Sequence, residues 1–200
     1  MSDISYPKGV KPFASKAPEK KKRNIRSTQG FGNRGMDFEA ALNDTNAYYI
    51  EKRIALITKR PTPINVVKVD YSKGATITQA YFETQSTTDY NGVYQGHYID
   101  FEAKSTQSKT SFPLSNIPAQ QILHLERVIA AGGWAFFVIN FAKLNEVYFL
   151  PASFVISFYK ERPRASIPYA MMKEKGILVE EGFRPRYDYL SVAIAYFDKK

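Results

Sequence analysis

The chain has 200 residues, no cysteine and a formal net charge of +9, and 44% of its residues are hydrophobic. This length suits one domain with its own core, and the lack of cysteine excludes disulfides, thiol nucleophiles and thiolate metal sites. No apolar run approaches the roughly 18 residues of a membrane-spanning helix. Because the first residues also lack the apolar segment of a signal peptide, we expect a cytoplasmic protein with no membrane contact.

The first 30 residues are strongly basic. They hold eight Lys or Arg residues against two acidic ones, and they show no apolar periodicity. This composition predicts a flexible basic arm at 1–30 in front of a compact domain at 31–200. A basic arm on a mildly basic body is typical of proteins that bind polyanions. A solvated tail without a partner explains the arm equally well.

The pattern after the arm predicts an α/β domain with a central sheet. Helical spacing of apolar residues predicts a first helix that Asp37 would cap. A short buried strand at 54–59 follows, and β-branched runs around Ser72-Lys73-Gly74 predict a hairpin at about 62–83. Because polar residues interrupt its apolar positions, we expect this hairpin to project from the body. An ordinary pair of sheet strands is the alternative.

The second half of the chain continues the alternation of strands and helices. Asn91-Gly92 predicts a tight turn between two strands. A helix capped by Asn116 is predicted next, ending at Gly132 and Gly133. The run WAFFVINF predicts a buried strand, and a further strand and a short helix follow before the closing segment FRPRYDYLSVAIAYF.

The stretch GHYIDFEAK at 96–104 alternates between apolar and charged residues. One strand face is apolar, and the other, expected to face solvent, carries Asp100, Glu102 and Lys104. A hairpin can bring Asp89 beside Glu102, so that two carboxylates share a hard cation such as Mg²⁺. Lys104 would stabilise charge developing on a phosphoryl oxygen. The pattern favours a metal-dependent nuclease, whereas a charged strand face without chemistry remains the alternative; for Asp100 we favour a supporting role.

Longer blocks of sequence carry a resemblance to a known family. They are GNRGMDFEAALNDTN at 32–46, KRPTP at 59–63, STTDYNGVYQGHYIDFEAK at 86–104, TSFPL at 110–114 and GFRPRYDY at 182–189. In this order, over residues 32–197, the chain resembles the RecU-type Holliday junction resolvases of Gram-positive bacteria.

The resemblance implies a restriction-endonuclease-like fold, with a mixed central sheet flanked by helices and a projecting β-hairpin stalk that enters the junction. It implies a homodimer that cuts four-way DNA junctions symmetrically in recombination and repair. The implied cofactor is Mg²⁺, for which Mn²⁺ can substitute, and the family is also linked to a RecA-type recombinase. By position, the family's magnesium-site residues match Thr87, Asp89, Glu102 and Gln121. Its transition-state lysine matches Lys104.

Several basic residues are candidate contacts to DNA phosphates, which position DNA without reading its sequence. They are Arg34, Lys59, Arg60, Lys68, Lys73, Arg184 and Arg186. For Arg184 and Arg186, pairing with Asp188 is an equal alternative. Two other functions stay open: a different restriction-like, Mg²⁺-dependent DNA endonuclease, and a non-catalytic DNA-binding accessory protein of recombination.

Overall fold

A computed structural model describes residues 33–82 and 87–199 of the chain, with side chains from Asp37 onward. The predicted arm at 1–30, the Arg34 side chain and residue 83 of the predicted stalk lie outside the described residues. The described strands are β1 (Leu56–Lys59), β2 (Ile64–Asp70), β3 (Thr76–Phe82), β4 (Tyr90–Tyr94), β5 (His97–Thr106), β6 (Ser111–Pro113), β7 (Trp134–Phe141), β8 (Glu146–Pro151), β9 (Ser166–Pro168) and β10 (Ile177–Val179).

Five α-helices occur in the described part of the chain. They are α1 (Asn33–Glu51), α2 (Ala119–Ala130), α3 (Ala152–Glu161), α4 (Tyr169–Lys175) and α5 (Tyr189–Phe197), and a 3₁₀ turn at Leu114–Asn116 precedes α2. None of these helices is long and apolar enough to cross a membrane.

A six-stranded mixed sheet forms the centre of the domain, in the order β1-β4-β5-β7-β8-β10. Strands β5 and β7 are parallel, and the other neighbours are antiparallel. A parallel pair needs a long crossover connection, which α2 provides between β5 and β7. The α/β class with a mixed central sheet, predicted from the sequence, is confirmed.

Helices cover both faces of this sheet because the central strands carry large apolar side chains on both sides. On one face, Phe101 and Phe136 pack with residues of α1 and α5, and their rings stack at 4.9 Å. On the other face, Phe137 and Ile139 pack with residues of α2 and α3. A strand buried on both faces reads as a continuous apolar run, as WAFFVINF does.

The helix starts predicted from capping residues are wrong. Helix α1 begins at Asn33, so that Asp37 lies inside it. Helix α2 begins at Ala119 after Pro118, because Asn116 belongs to the preceding 3₁₀ turn. The strand predicted as buried at 54–59 is an exposed edge strand, in which only Ile57 is buried.

The turn predicted at Asn91-Gly92 is also wrong, since both residues lie within β4. The chain reverses at Gln95-Gly96 instead, where φ is positive at both residues (45° and 85°). Gly92 is needed for another reason: a Cβ at this position would overlap the Leu56 carbonyl oxygen of the paired strand. The glycine therefore allows a close backbone approach between β1 and β4.

Strands β2 and β3 form a hairpin with a two-stranded sheet of its own. Its turn lies at Ser72-Lys73-Gly74, where Gly74 has a φ of 107°. Nearly all side chains of the two strands are exposed, including Tyr81 and Phe82. Among the described strands, these two pair only with each other, so that the hairpin contributes little to either core.

Candidate active site

The charged face of β5 is buried, which differs from the solvent exposure expected from its alternation. The side chains of Asp100 and Glu102 have no exposed area, and that of Lys104 is 20% exposed. Helix α2 covers this face and supplies Gln121 and His124 as polar neighbours of the two carboxylates. The face is therefore an internal polar layer between the sheet and α2.

Asp89 lies immediately before β4 and next to Glu102. Strand β4 pairs with β5 so that Tyr90 stands opposite Phe101, and this register places the preceding residue beside Glu102. The Asp89 backbone N–H donates to Glu102 Oε2 at 3.1 Å, and the Ala103 N–H donates to Asp89 Oδ2 at 3.4 Å. The fold thus brings together two carboxylates that are 13 positions apart in the chain.

Two further side chains converge on Glu102. Lys104 Nζ lies 2.5 Å from Glu102 Oε1, and Gln121 Nε2 donates to the same oxygen at 2.8 Å. The other amide atom, Gln121 Oε1, is buried and has no hydrogen-bond partner among the described residues. Buried polar atoms rarely lack a partner, so this oxygen is suited to a ligand. Thr87 is partly buried two residues before Asp89.

The electrostatics of this cluster favour a bound cation. Burial, together with the neighbouring Asp89 carboxylate, raises the pKa of Glu102 to about 8, although the Lys104 ammonium opposes both effects. Two carboxylates at one buried point repel each other unless a proton or a cation lies between them.

These residues fit a hard divalent cation. In the described ranges, no three Asp, Glu, His or Cys side chains cluster as a metal cage would require. Magnesium-type sites do not need such a cage, because they use one or two carboxylates and complete their shell with water and substrate phosphate oxygens. Asp89, Glu102 and the free oxygen of Gln121 would hold the ion here.

A second polar cluster surrounds Asp100. Its Oδ2 atom accepts hydrogen bonds from Arg60 Nη2 at 2.6 Å and from the Tyr98 hydroxyl at 2.8 Å. His124 Nε2 lies 2.9 Å from the same oxygen. The Thr88 hydroxyl donates to Asp100 Oδ1. The buried carboxylate therefore joins β5, α2 and the segments that precede β2 and β4.

This cluster also fixes the position of Asp89. Thr88, its chain neighbour, is held by Asp100, and the Arg60 backbone N–H donates to the Asp89 carbonyl at 2.8 Å. The Arg60 side chain is only 17% exposed and is bonded to Asp100. The structure thus gives Arg60 a supporting position, and its phosphate contact stays a prediction.

Five other predicted phosphate contacts lie on the surface. Three of them form exposed ion pairs: Lys59 with Glu39 at 2.5 Å, Arg184 with Glu51 at 2.6 Å and Arg186 with Glu181 at 2.7 Å. Exposed pairs of this kind contribute little free energy and can exchange for a phosphate. Lys68 and Lys73 are exposed on the hairpin. Asp188, the alternative partner of Arg184 and Arg186, instead caps α5 through the Ser191 N–H.

Sequence reasoning missed Tyr98, Thr88 and His124 as members of the polar layer. The sequence holds a signal for two of these three residues. Tyr98 shares the period-two face of Asp100 and Glu102, and His124 follows Gln121 by three positions, which places both on one face of a helix. Neither signal shows which face of the strand meets which face of the helix.

The raised pKa of Glu102 predicts a pH dependence of stability in the metal-free protein. The folded chain keeps a proton on Glu102 up to about pH 8, whereas the unfolded chain loses it near the ordinary value of 4.5. The contribution to stability is therefore fully present below pH 4.5 and is lost as pH rises through 8. Urea unfolding in EDTA measures this slope. Glu102→Gln should remove that part of the slope, and identical slopes for both proteins would contradict the prediction.

A buried glutamate and a lysine on a central strand, with a partly buried aspartate and a buried amide oxygen beside them, are suited to metal-dependent cleavage of phosphodiesters, the chemistry of a nuclease. Comparison with known proteins identifies the family. Residues 33–195 match the sequence profile of RecU, recombination protein U. The chain therefore belongs to the RecU family, and the resemblance seen in the sequence is confirmed.

Individual relatives agree with this assignment. The Holliday junction resolvase RecU of Lactococcus lactis is 48% identical over 204 residues, which cover 94% of this chain and 96% of the relative. The protein of the same name from Bacillus cytotoxicus is 46% identical, with 97% of this chain and 98% of the relative covered. Among solved structures, Hjc of Archaeoglobus fulgidus, a Holliday junction resolvase, has a TM-score of 0.41 and 13% identity, covering 71% of this chain and 93% of that one.

Proposed function

We propose that this chain is an endonuclease that resolves four-way (Holliday) DNA junctions by paired phosphodiester cleavage, in recombination and repair. The observation that carries the proposal is the pairing of the partly buried Asp89 with the buried Glu102, with Lys104 and the unpartnered Gln121 oxygen beside them. Family membership supplies the substrate, since the relatives are named Holliday junction resolvases. The cytoplasmic location expected from the sequence is part of this proposal.

The cofactor is a divalent metal ion, which we propose to be Mg²⁺, with Mn²⁺ as a substitute. When bound, such an ion neutralises charge on the phosphodiester and lowers the pKa of a water molecule. Asp89, Glu102, Gln121 and Thr87 would hold it. The pairing of β4 with β5 fixes Asp89 and Glu102, and the packing of α2 fixes Gln121, so that the site is largely preorganised.

Lys104 acts at the substrate side of the cluster. Its ammonium has three donors, and Glu102 Oε1 at 2.5 Å takes one of them. Because Lys104 is partly exposed, the remaining donors can orient an attacking water or stabilise charge that develops on the phosphoryl oxygens. A donor already in place at the start of the reaction needs little reorganisation.

Symmetric resolution requires two matched cuts, and one site cuts one strand. A two-fold dimer supplies two equivalent sites that face related strands. We therefore include a homodimer in the proposal, together with the link to a RecA-type recombinase that the family resemblance implies. Sedimentation or light scattering of the full chain, with and without junction DNA, measures whether it forms a homodimer.

The proposed function is tested by offering a synthetic four-way junction, a linear duplex and a flap to the protein in parallel. We expect paired cuts in the junction only with Mg²⁺, and none from Asp89→Ala. Equal cleavage of all three substrates would favour a different restriction-like endonuclease. Junction binding without any Mg²⁺-dependent cleavage would favour the non-catalytic accessory protein.

The exposed hairpin leads to a separate prediction. Deleting residues 64–82 and joining the ends with a short Gly-Ser linker should impair junction resolution much more than folding, because β2 and β3 pair only with each other in the described structure. The deletion also removes Lys68 and Lys73, two candidate phosphate contacts. Junction cleavage and thermal unfolding are measured on the same preparation. A deletion product without a cooperative unfolding transition would show that these strands belong to the core.

A further inference from the structure

Two exposed arginines that follow α3 lack the carboxylate partners of the surface arginines that the sequence analysis selected. Arg162 and Arg164 are exposed, and neither forms an ion pair with a carboxylate among the described residues. The Arg162 guanidinium lies over the Tyr159 ring, 5.2 Å from the ring centroid. By contrast, Arg184 and Arg186 must each give up a carboxylate before they can hold a phosphate.

Both arginines line a groove whose volume is about 630 Å³. Three hydroxyl side chains share its wall: Ser111, Ser115 and Ser166. Guanidinium groups hold phosphate oxygens with two parallel hydrogen bonds, and serine hydroxyls can donate to the same oxygens. In the described part of the chain, no carboxylate lines the groove, so its chemistry matches an anion of the phosphate type.

The backbone around Arg164 is held in place. Strand β9 pairs with β6, with Ser166 opposite Pro113. The Leu114 N–H donates to the Ala165 carbonyl at 3.0 Å. These bonds fix the residue after Arg164 against the segment that forms the opposite wall. A contact built on paired strands costs less ordering free energy on binding than one on a free loop.

The groove is also connected to the catalytic cluster. Its wall at Leu114 and Ser115 belongs to the 3₁₀ turn that precedes α2, and the first turn of α2 carries Gln121. Gln121 donates to Glu102 at 2.8 Å. The β6 wall follows closely after the end of β5, the strand that carries Glu102 and Lys104. The segment between β5 and α2 therefore connects the groove along the chain to both elements that carry the cluster around Glu102.

We propose that this groove binds a backbone phosphate of the junction DNA, with Arg164 as its main contact and Arg162 as the second. The proposal rests on the proposed function, because it names how the same substrate is held. Phosphate contacts carry no sequence information, so the groove positions junctions of any sequence equally.

Junction binding by the full-length protein in EDTA, followed by fluorescence anisotropy across a salt series, tests the groove. Arg162→Ala/Arg164→Ala should weaken binding roughly tenfold and reduce the slope of log affinity against log salt by about one, as expected for the loss of one phosphate contact. Arg164→Lys, which keeps the charge but loses the bidentate fork, should lie between this double variant and wild type. Arg127→Ala is the matched control, since it removes an exposed arginine from the last turn of α2; it should bind like wild type.

The outcomes separate the groove from the proposed function. The proposed phosphate contact would be overturned if Arg127→Ala weakened binding equally, or if the double variant bound junctions like wild type. Cleavage of junctions by the wild-type protein would still uphold the proposed function in either case. A wild-type protein that neither binds nor cleaves junctions would overturn the function itself. Melting temperatures close to wild type are expected for all variants, because the replaced side chains are exposed.

Discussion

Replacing Glu102 with glutamine is expected to reduce junction cleavage roughly a thousandfold, since a catalytic metal supplies several kcal/mol of transition-state stabilisation. The change keeps the size of the side chain and its contact with Gln121 but removes one of two charges that would bind the ion. Junction binding should remain close to wild type, because the Glu102 side chain has no exposed area. The variant therefore separates holding the substrate from cutting it.

Single-turnover cleavage of a labelled junction with saturating Mg²⁺ measures this effect, and anisotropy in EDTA measures binding. Glu126→Gln is a matched control, because Glu126 forms its ion pair with Lys160 away from the cluster. The control should cleave at the wild-type rate. Nicking by Glu102→Gln near that rate would remove Glu102 from the catalytic site.

Asp100→Ala is expected to lower the free energy of unfolding by about 3–5 kcal/mol, the usual effect of removing one partner from a buried ion pair. The change leaves the Arg60 guanidinium without its carboxylate partner and removes the acceptor of the Tyr98 and Thr88 hydroxyls. Because Arg60 and Thr88 also hold Asp89, cleavage should slow in any Asp100→Ala protein that remains folded.

Urea unfolding with a matched surface variant tests this prediction. Asp44 is exposed on α1, so that Asp44→Ala should change the free energy of unfolding by no more than about 0.5 kcal/mol. Asp100→Asn keeps the shape of the side chain and should lie between the two. If Asp100→Ala unfolds at the same urea concentration as Asp44→Ala, the buried network does not stabilise the fold.

Local features of the sequence determined much of the fold. The continuous apolar run of β7 predicted a strand buried on both faces, and the Gly pair after α2 marked the end of that helix. The tight turn predicted at Asn91-Gly92 is wrong because a glycine can be required either by a turn or by a close approach of two backbones. Only the pairing of β1 with β4 shows that Gly92 serves the second.

The sequence by itself placed Asp100, Glu102 and Lys104 on one side of a strand, because side chains alternate with a period of two. Tertiary structure alone decided that this side is buried, since residues of α2 far along the chain cover it. That packing removes water from Glu102 and raises its pKa, and it pairs Arg60 with the buried Asp100. The strand period is a local property, whereas burial and pairing depend on which distant elements meet.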